Sequence, residues 1–378
     1  IEVMNLKNIS KYRMFSLLSV LLLTMVVVTG AWAESLMFRV NSSQTGTYDE
    51  SVVSDDVEVL WTYEAEAEVS GSPAWSDGKI YFGDSMGFVY CLDAATGERI
   101  WDNNTGNTVY GAPAIRDGKL YVGNTGGRFI CMDLTTGEDL WYYEAGSPTN
   151  PGAIHSSPAL CEDNVFFTSA DGKLYAIDAK TGKLAWSFDT GREVRCSPIV
   201  HDGLVYFGDH TWKFHALDAK TGKKVWGGGA GGPIDASPSI YGGNIFFGGW
   251  DGTVYSTEIK GVIPSWRFKA GSEITTSPAA SKGRIFVGTV SGEFFCLDVG
   301  NGEQIWSFQA EGGIQASPAV TGDLVLLAST SGTIYGIDSN KGSEIWSVET
   351  GREILSSPVV VAGTVYFGSM DGRFYAVR

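Results

Sequence analysis

The stretch YCLDAATGERIW, Tyr90 to Trp101, puts a thiol, a carboxylate, a Thr-Gly turn and an indole within twelve residues. Those are parts of a thiol or acid–base site. The same carboxylate recurs as Asp93, Asp133, Asp178, Asp218, Asp298 and Asp338. Acid–base work and calcium binding need carboxylates that converge on one place. Six copies spread at regular spacing read instead as Asx-type turns, each capping backbone N–H groups ahead of a left-handed glycine. Cys91, Cys131 and Cys296 share one slot, two residues before the Asp, where other repeats hold Ala176, Ala216, Ser256, Gly336 and Ala376. Cysteine there fills space as a small apolar group. Equivalent positions on stacked sheets lie about 10 Å apart, beyond disulfide reach, so no bridge is expected among these three.

Other chemistry is sparse. His155 and His210 leave a metal pair conceivable, while His201 and His215 read as a turn on the opposite face and a strand. No Ser/His/Asp spacing, phosphate loop or zinc pattern occurs. GGGAGG, Gly227 to Gly232, follows a strand but opens no recognisable helix, so it is not a dinucleotide motif.

The elements that must position any site come from an internal repeat. Trp61, Trp101, Trp141, Trp186, Trp226, Trp266, Trp306 and Trp346 recur every 40 residues, with one interval of 45. Pro73, Pro113, Pro158, Pro198, Pro238, Pro278, Pro318 and Pro358 keep the same beat, and seven of them follow serine; Ala112 precedes Pro113. Within SPAWSDGKIYFGDSMGFVYCLDAATGERIW, a short apolar run ends at the turn Asp77-Gly78. The strands KIYFG and FVYCLD follow, and ERIW begins a fourth. Strands such as FVYCL are apolar on both faces and must be covered on both.

A period near 40 with four antiparallel strands predicts an all-β, eight-bladed β-propeller. The last repeat stops at FYAVR, Phe374 to Arg378, one strand short, and VLWTYEAE, Val59 to Glu66, stands before the first full repeat. The N-terminal strand is therefore expected to complete the eighth blade, closing the ring and removing sheet edges.

LDAATGERIW, IDAKTGKLAW (Ile177 to Trp186) and LDAKTGKKVW (Leu217 to Trp226) resemble the pyrroloquinoline-quinone-type propeller repeat. MFRVNSSQTG, Met37 to Gly46, resembles the lead-in found before such propellers in many exported proteins. The resemblance covers nearly all of residues 34–378. It implies that the repeated tryptophans dock each outer strand onto the neighbouring blade. The family includes quinone-dependent alcohol dehydrogenases and the lipoprotein of the outer-membrane β-barrel assembly machinery, and this chain is similar in build to the latter, propeller-only kind. The dehydrogenases are longer and carry a vicinal cysteine pair, whereas no two of the five cysteines here adjoin. The expectation is a non-catalytic scaffold with no cofactor, binding a protein partner in the cell envelope. The alternatives are a dehydrogenase-like quinoprotein using pyrroloquinoline quinone with calcium, and a secreted ligand or carbohydrate binder.

The informative positions are those where repeats differ. Three residues before each marker proline stand Ser70, Tyr110, His155, Arg195, Asp235, Thr275, Gln315 and Leu355. The loops between blades and the second loop inside each blade share one face, where propellers commonly build function. The second loop adds His210, Trp212 and Trp250; Trp212 takes a place that is glycine in the other repeats. The candidate binding residues are Tyr110, His155, Arg195, His210, Trp212, Asp235, Trp250 and Gln315. The bland alternatives are a solvated rim and tryptophans that plug it by packing. The five-residue expansion in AGSPTNPGAIHSSP, Ala145 to Pro158, falls on the same face, so irregularity gathers on blades three to five.

Residues 1–33 read as a signal peptide: Lys7, Lys11 and Arg13 precede an apolar run, Met14 to Gly30, and AWA offers a cleavage site. An uncleaved membrane anchor is the alternative. No cysteine follows the run at once to take a lipid. The expected division is 1–33 signal segment, 34–56 lead-in and 57–378 propeller, an extracytoplasmic and monomeric protein. Net charge is −16; the first 33 residues hold three bases and one acid, leaving −18 for the remainder. Such a surface repels phosphate backbones and argues against nucleic-acid binding.

Overall fold

Each repeat folds as the meander its turns predict. In the first, Ala74–Ser76, Lys79–Gly83, Phe88–Asp93 and Arg99–Asn104 pair in order as antiparallel strands. The computed structural model describes residues 44–48, 57–147, 150–261 and 264–378. The segment read as a signal peptide, its expected cleavage site and most of the expected lead-in lie outside the described residues. Among those described, all regular structure is β: eight such blades, one two-stranded hairpin and one added strand. Blades are numbered 1 to 8 by their inner strands: Ala74–Ser76, Ala114–Arg116, Ala159–Cys161, Ile199–His201, Ser239–Tyr241, Ala279–Ser281, Ala319–Thr321 and Val359–Val361. His201 thus ends an inner strand rather than sitting in the turn that follows.

The ring closes as expected. Val59–Glu64 supplies the outer strand of blade 8 and pairs antiparallel with Arg373–Val377, with Trp61 opposite Ala376. The expansion before blade 3 folds back on itself, Gly146–Ser147 pairing with Asn150–Pro151.

Burial explains the residue choice in each strand. In Phe88–Asp93 the residues Val89, Tyr90, Cys91 and Leu92 are fully buried, because both faces of a middle strand meet a neighbouring blade. The outer strand Val59–Glu64 has one wet face, and burial alternates along most of it. Phenylalanines stack from blade to blade: Phe82 on Phe374 at 4.1 Å, Phe129 on Phe167 at 4.3 Å, Phe214 on Phe247 at 4.6 Å between ring centres. Each such pair adds about 0.5–1.5 kcal/mol beyond its buried area. All five cysteines are unpaired. Burial pushes the Cys91 thiol up to about 11 and those of Cys131 and Cys296 to about 12, which keeps them protonated and inert.

The motif that looked like chemistry is a seam. Asp93 Oδ1 accepts the amides of Ala95 and Thr96 at 3.0 and 2.9 Å, an Asx turn. The Trp61 ring packs on Gly97 of that turn, and its Nε1 donates to Ala94 O at 3.2 Å. Blade 8 is thereby fastened to blade 1. Trp101, Trp186, Trp266 and Trp306 donate in the same way to Leu134, Ala219, Val299 and Ser339 at 3.0–3.2 Å. The Ser-Pro marker forms a second seam nearer the axis. The amides of Ala112, Ser157 and Ser197 donate to the hydroxyls of Ser157, Ser197 and Ser237. Those of Ser277, Ser317 and Ser357 donate to Ser317, Ser357 and Ser72.

One feature the repeat does not contain appears at the axis. Thr47–Tyr48, from the lead-in, adds a fifth strand to blade 7, parallel to Ala319–Thr321.

Candidate binding face

The loops between blades carry Tyr110, His155, Arg195, Asp235 and Gln315 on one face, and the second loops of blades 4 and 5 bring His210, Trp212 and Trp250 to it. The side chains of blades 4 and 5 interlock. His210 Nε2 lies 2.5 Å from Asp235 Oδ1, and Trp250 Nε1 donates to Asp235 Oδ2 at 3.1 Å. The His210 and Trp250 rings meet edge to face, 5.5 Å between centres at 62°. The other imidazole nitrogen, Nδ1, is 3.9 Å from Glu193 Oε2, and the same carboxylate oxygen takes the Arg195 guanidinium at 2.9 Å. The result is one run of contacts, Arg195–Glu193–His210–Asp235–Trp250.

Tyr110 and His155 form a second unit beside it, their rings stacked 5.3 Å apart at 28°. Burial and then the positive charge of Arg195 hold the His155 imidazole below its usual pKa, with Glu193 and Asp235 opposing. The two units therefore feel each other electrostatically. Gln315 is exposed before blade 7, and no contact joins it to this run among the described residues.

Trp212 is the outlier. Its backbone has φ +67, and its side chain is 53% exposed. Gly87, Gly127, Gly172, Gly252, Gly292, Gly332 and Gly372 take that turn position in the other repeats, all with positive φ. Glycine adopts this conformation without strain; a bulky side chain there is strained by about 1–3 kcal/mol. Repetition predicts the left-handed turn, and the turn chemistry would select glycine. Its large aromatic replacement leaves about half of its surface open to solvent.

Glu193 is the member the sequence does not single out. Glu68, Glu273 and Glu353 occupy the same slot in other repeats, so it reads as a repeated surface residue; only its reach to both Arg195 and His210 sets it apart. His215 belongs elsewhere: it is buried, and its Nε2 lies 2.7 Å from Asp209 Oδ2, as Tyr90, Tyr255 and Tyr375 hold Asp84, Asp251 and Asp371 in their own blades. Among the described residues no group of three or more His, Cys, Asp or Glu has the arrangement of a metal site. The face offers aromatic surfaces, a guanidinium and anchored carboxylates, which suit recognition of a partner's surface.

Comparison with known families matches residues 49–195, 175–277 and 263–378 to the family described as outer membrane protein assembly factor BamB. Comparison with curated protein sequences finds no match. Among solved structures, BamB from Moraxella catarrhalis is 18% identical with a TM-score of 0.74, over 85% of this chain and 98% of that one. A europium-containing methanol dehydrogenase is 13% identical with a TM-score of 0.80, over 91% of this chain and 98% of the other. Quinohemoprotein alcohol dehydrogenase from Comamonas testosteroni is 15% identical with a TM-score of 0.74, over 91% and 80%. At these identities the solved structures speak for the fold alone.

Proposed function

This chain belongs to the family described as outer membrane protein assembly factor BamB, and from that premise we propose that it is a non-catalytic, extracytoplasmic scaffold that holds a protein partner in the cell envelope. The partner docks on the face built from Tyr110, His155, Arg195, His210, Trp212, Asp235 and Trp250. The observation that carries the reading is Trp212, a strained and exposed indole where seven other repeats have glycine. Fold stability gives no reason for that choice, and exposed aromatics are common anchors of interfaces. Among the described residues no helix is long and apolar enough to cross a membrane.

The quinone reading has less support. The resemblance would place pyrroloquinoline quinone with calcium in the ring, and three observations weigh against that reading. No metal-ligand group is found among the described residues, no two cysteines adjoin in the sequence, and the chain's own lead-in lies at the axis.

The test is capture from envelope extract by the immobilised chain and by a variant carrying Arg195→Ala, Trp212→Ala and Trp250→Ala. Proteins retained by the first and released by the second are expected. Identical retention by both would place the docking surface elsewhere.

A further inference from the structure

The inner strands of a propeller leave one edge unpaired toward the axis. At blade 7 that edge is filled: Thr47 lies opposite Val320 and Tyr48 opposite Thr321, in parallel. The Val320 amide donates to Gly46 O at 2.7 Å and the Ala280 amide, in blade 6, to Thr45 O at 2.9 Å. Thr47 Oγ1 returns a bond to Ala280 O at 2.8 Å. Gln44 Nε2 donates to Pro198 O, at the entry to blade 4, at 3.1 Å, and Tyr48 OH to Pro358 O, at the entry to blade 8, at 3.3 Å.

Blades 4 and 8 stand opposite each other in a ring of eight. A segment bonded to both crosses the channel, and five residues reach at most about 17 Å when extended. Gln44 and Tyr48 are 2% and 7% exposed although the segment belongs to no blade of its own. Gly46, at φ +64, makes the bend that turns its carbonyl to Val320; an L side chain there would be strained.

We infer that the axial channel is a peptide-binding site and that its occupant is the chain's own segment Gln44–Tyr48. The segment ties blades 4, 6, 7 and 8 together across the axis. It gives the Val320 and Ala280 amides partners they would otherwise seek in solvent. Paired on the inner edge of blade 7, it stands in the way of a small molecule seated on the axis. This inference is independent of the docking face, which lies in the loops at one end of the ring.

Hydrogen exchange on the full chain tests it. Val320 and Ala280 amides should exchange as slowly as amides between the middle strands. Gly46→Pro cannot adopt the left-handed bend, and should speed exchange at these two amides by about tenfold or more, the loss of one net hydrogen bond, while Leu326 and Phe286 stay protected. Should that variant fail to fold, Thr47→Val with Tyr48→Phe removes only side-chain bonds and should give a smaller rise at the same amides. Exchange at Val320 and Ala280 typical of a solvent-facing edge in the unaltered chain would overturn the inference, as would no change in either variant. Pyrroloquinoline quinone with calcium is the second probe: tryptophan fluorescence of the unaltered chain should show no saturable quenching, and stoichiometric binding would show the channel open.

Discussion

His210 Nε2 and Asp235 Oδ1 are 2.5 Å apart, which joins the second loop of blade 4 to the entry of blade 5 and sets the position of Trp250 through the second carboxylate oxygen. Removing that carboxylate by Asp235→Ala should release both aromatic rings. The expected result is a red shift of Trp250 emission, weaker partner capture and a stability loss of about 1.5–3 kcal/mol, the range for hydrogen bonds to a charged group. Unchanged emission and capture would mean that Asp235 does not organise the face.

Trp212→Gly reverses the one departure from turn chemistry on this face. Relief of left-handed strain should stabilise the fold by about 1 kcal/mol, measured as a higher denaturant midpoint with an unchanged slope. Partner capture should fall at the same time. A variant that gains stability and keeps full capture would leave Trp212 without a role in docking.

Ala112 leaves one gap among the Ser-Pro hydroxyls, since it offers none to the amide of Ser72 in the preceding blade; the step from Ser237 to Ser277 is a second gap. Ala112→Ser should restore the bond seen at six other steps and raise stability by about 0.5–1.5 kcal/mol. The opposite change, Ser357→Ala, takes the acceptor from the Ser317 amide and should cost a similar amount in the same unfolding assay.

His155 supplies a pH test. Its folded pKa is depressed by burial and by Arg195, so the unfolded chain takes up the proton first as pH falls. Its contribution to stability is full above the unfolded pKa near 6.5 and declines as pH falls from there toward the folded value. NMR titration should find the His155 midpoint below 6.5, and Arg195→Ala should move it upward. A midpoint that stays put would remove the guanidinium as a cause.

The ring was legible because each repeat reports its own geometry. Trp61 and Trp101 keep the same place relative to the Asp-Thr-Gly turn of the next blade, so one spacing announces both the strand and what it packs against. The orphan strand at Val59 and the short last repeat at Arg378 announced closure in the same way. Periodicity also marked the slots on one face and the break at Trp212, because a missing glycine is visible against seven that remain.

The period could not say which of those side chains meet. His210 and Asp235 are 25 residues apart, and whether two loop residues touch depends on the curvature that brings blade 4 beside blade 5. Glu193 looked like filler because its slot repeats, and only its two neighbours in space distinguish it. The lead-in has no repeat to betray its partner: Thr47 finds Val320 only after eight blades have closed and left an unpaired edge on the axis. Local rules of turn and strand fixed the blades; the contents of the channel and the pairings on the face were decided by the ring.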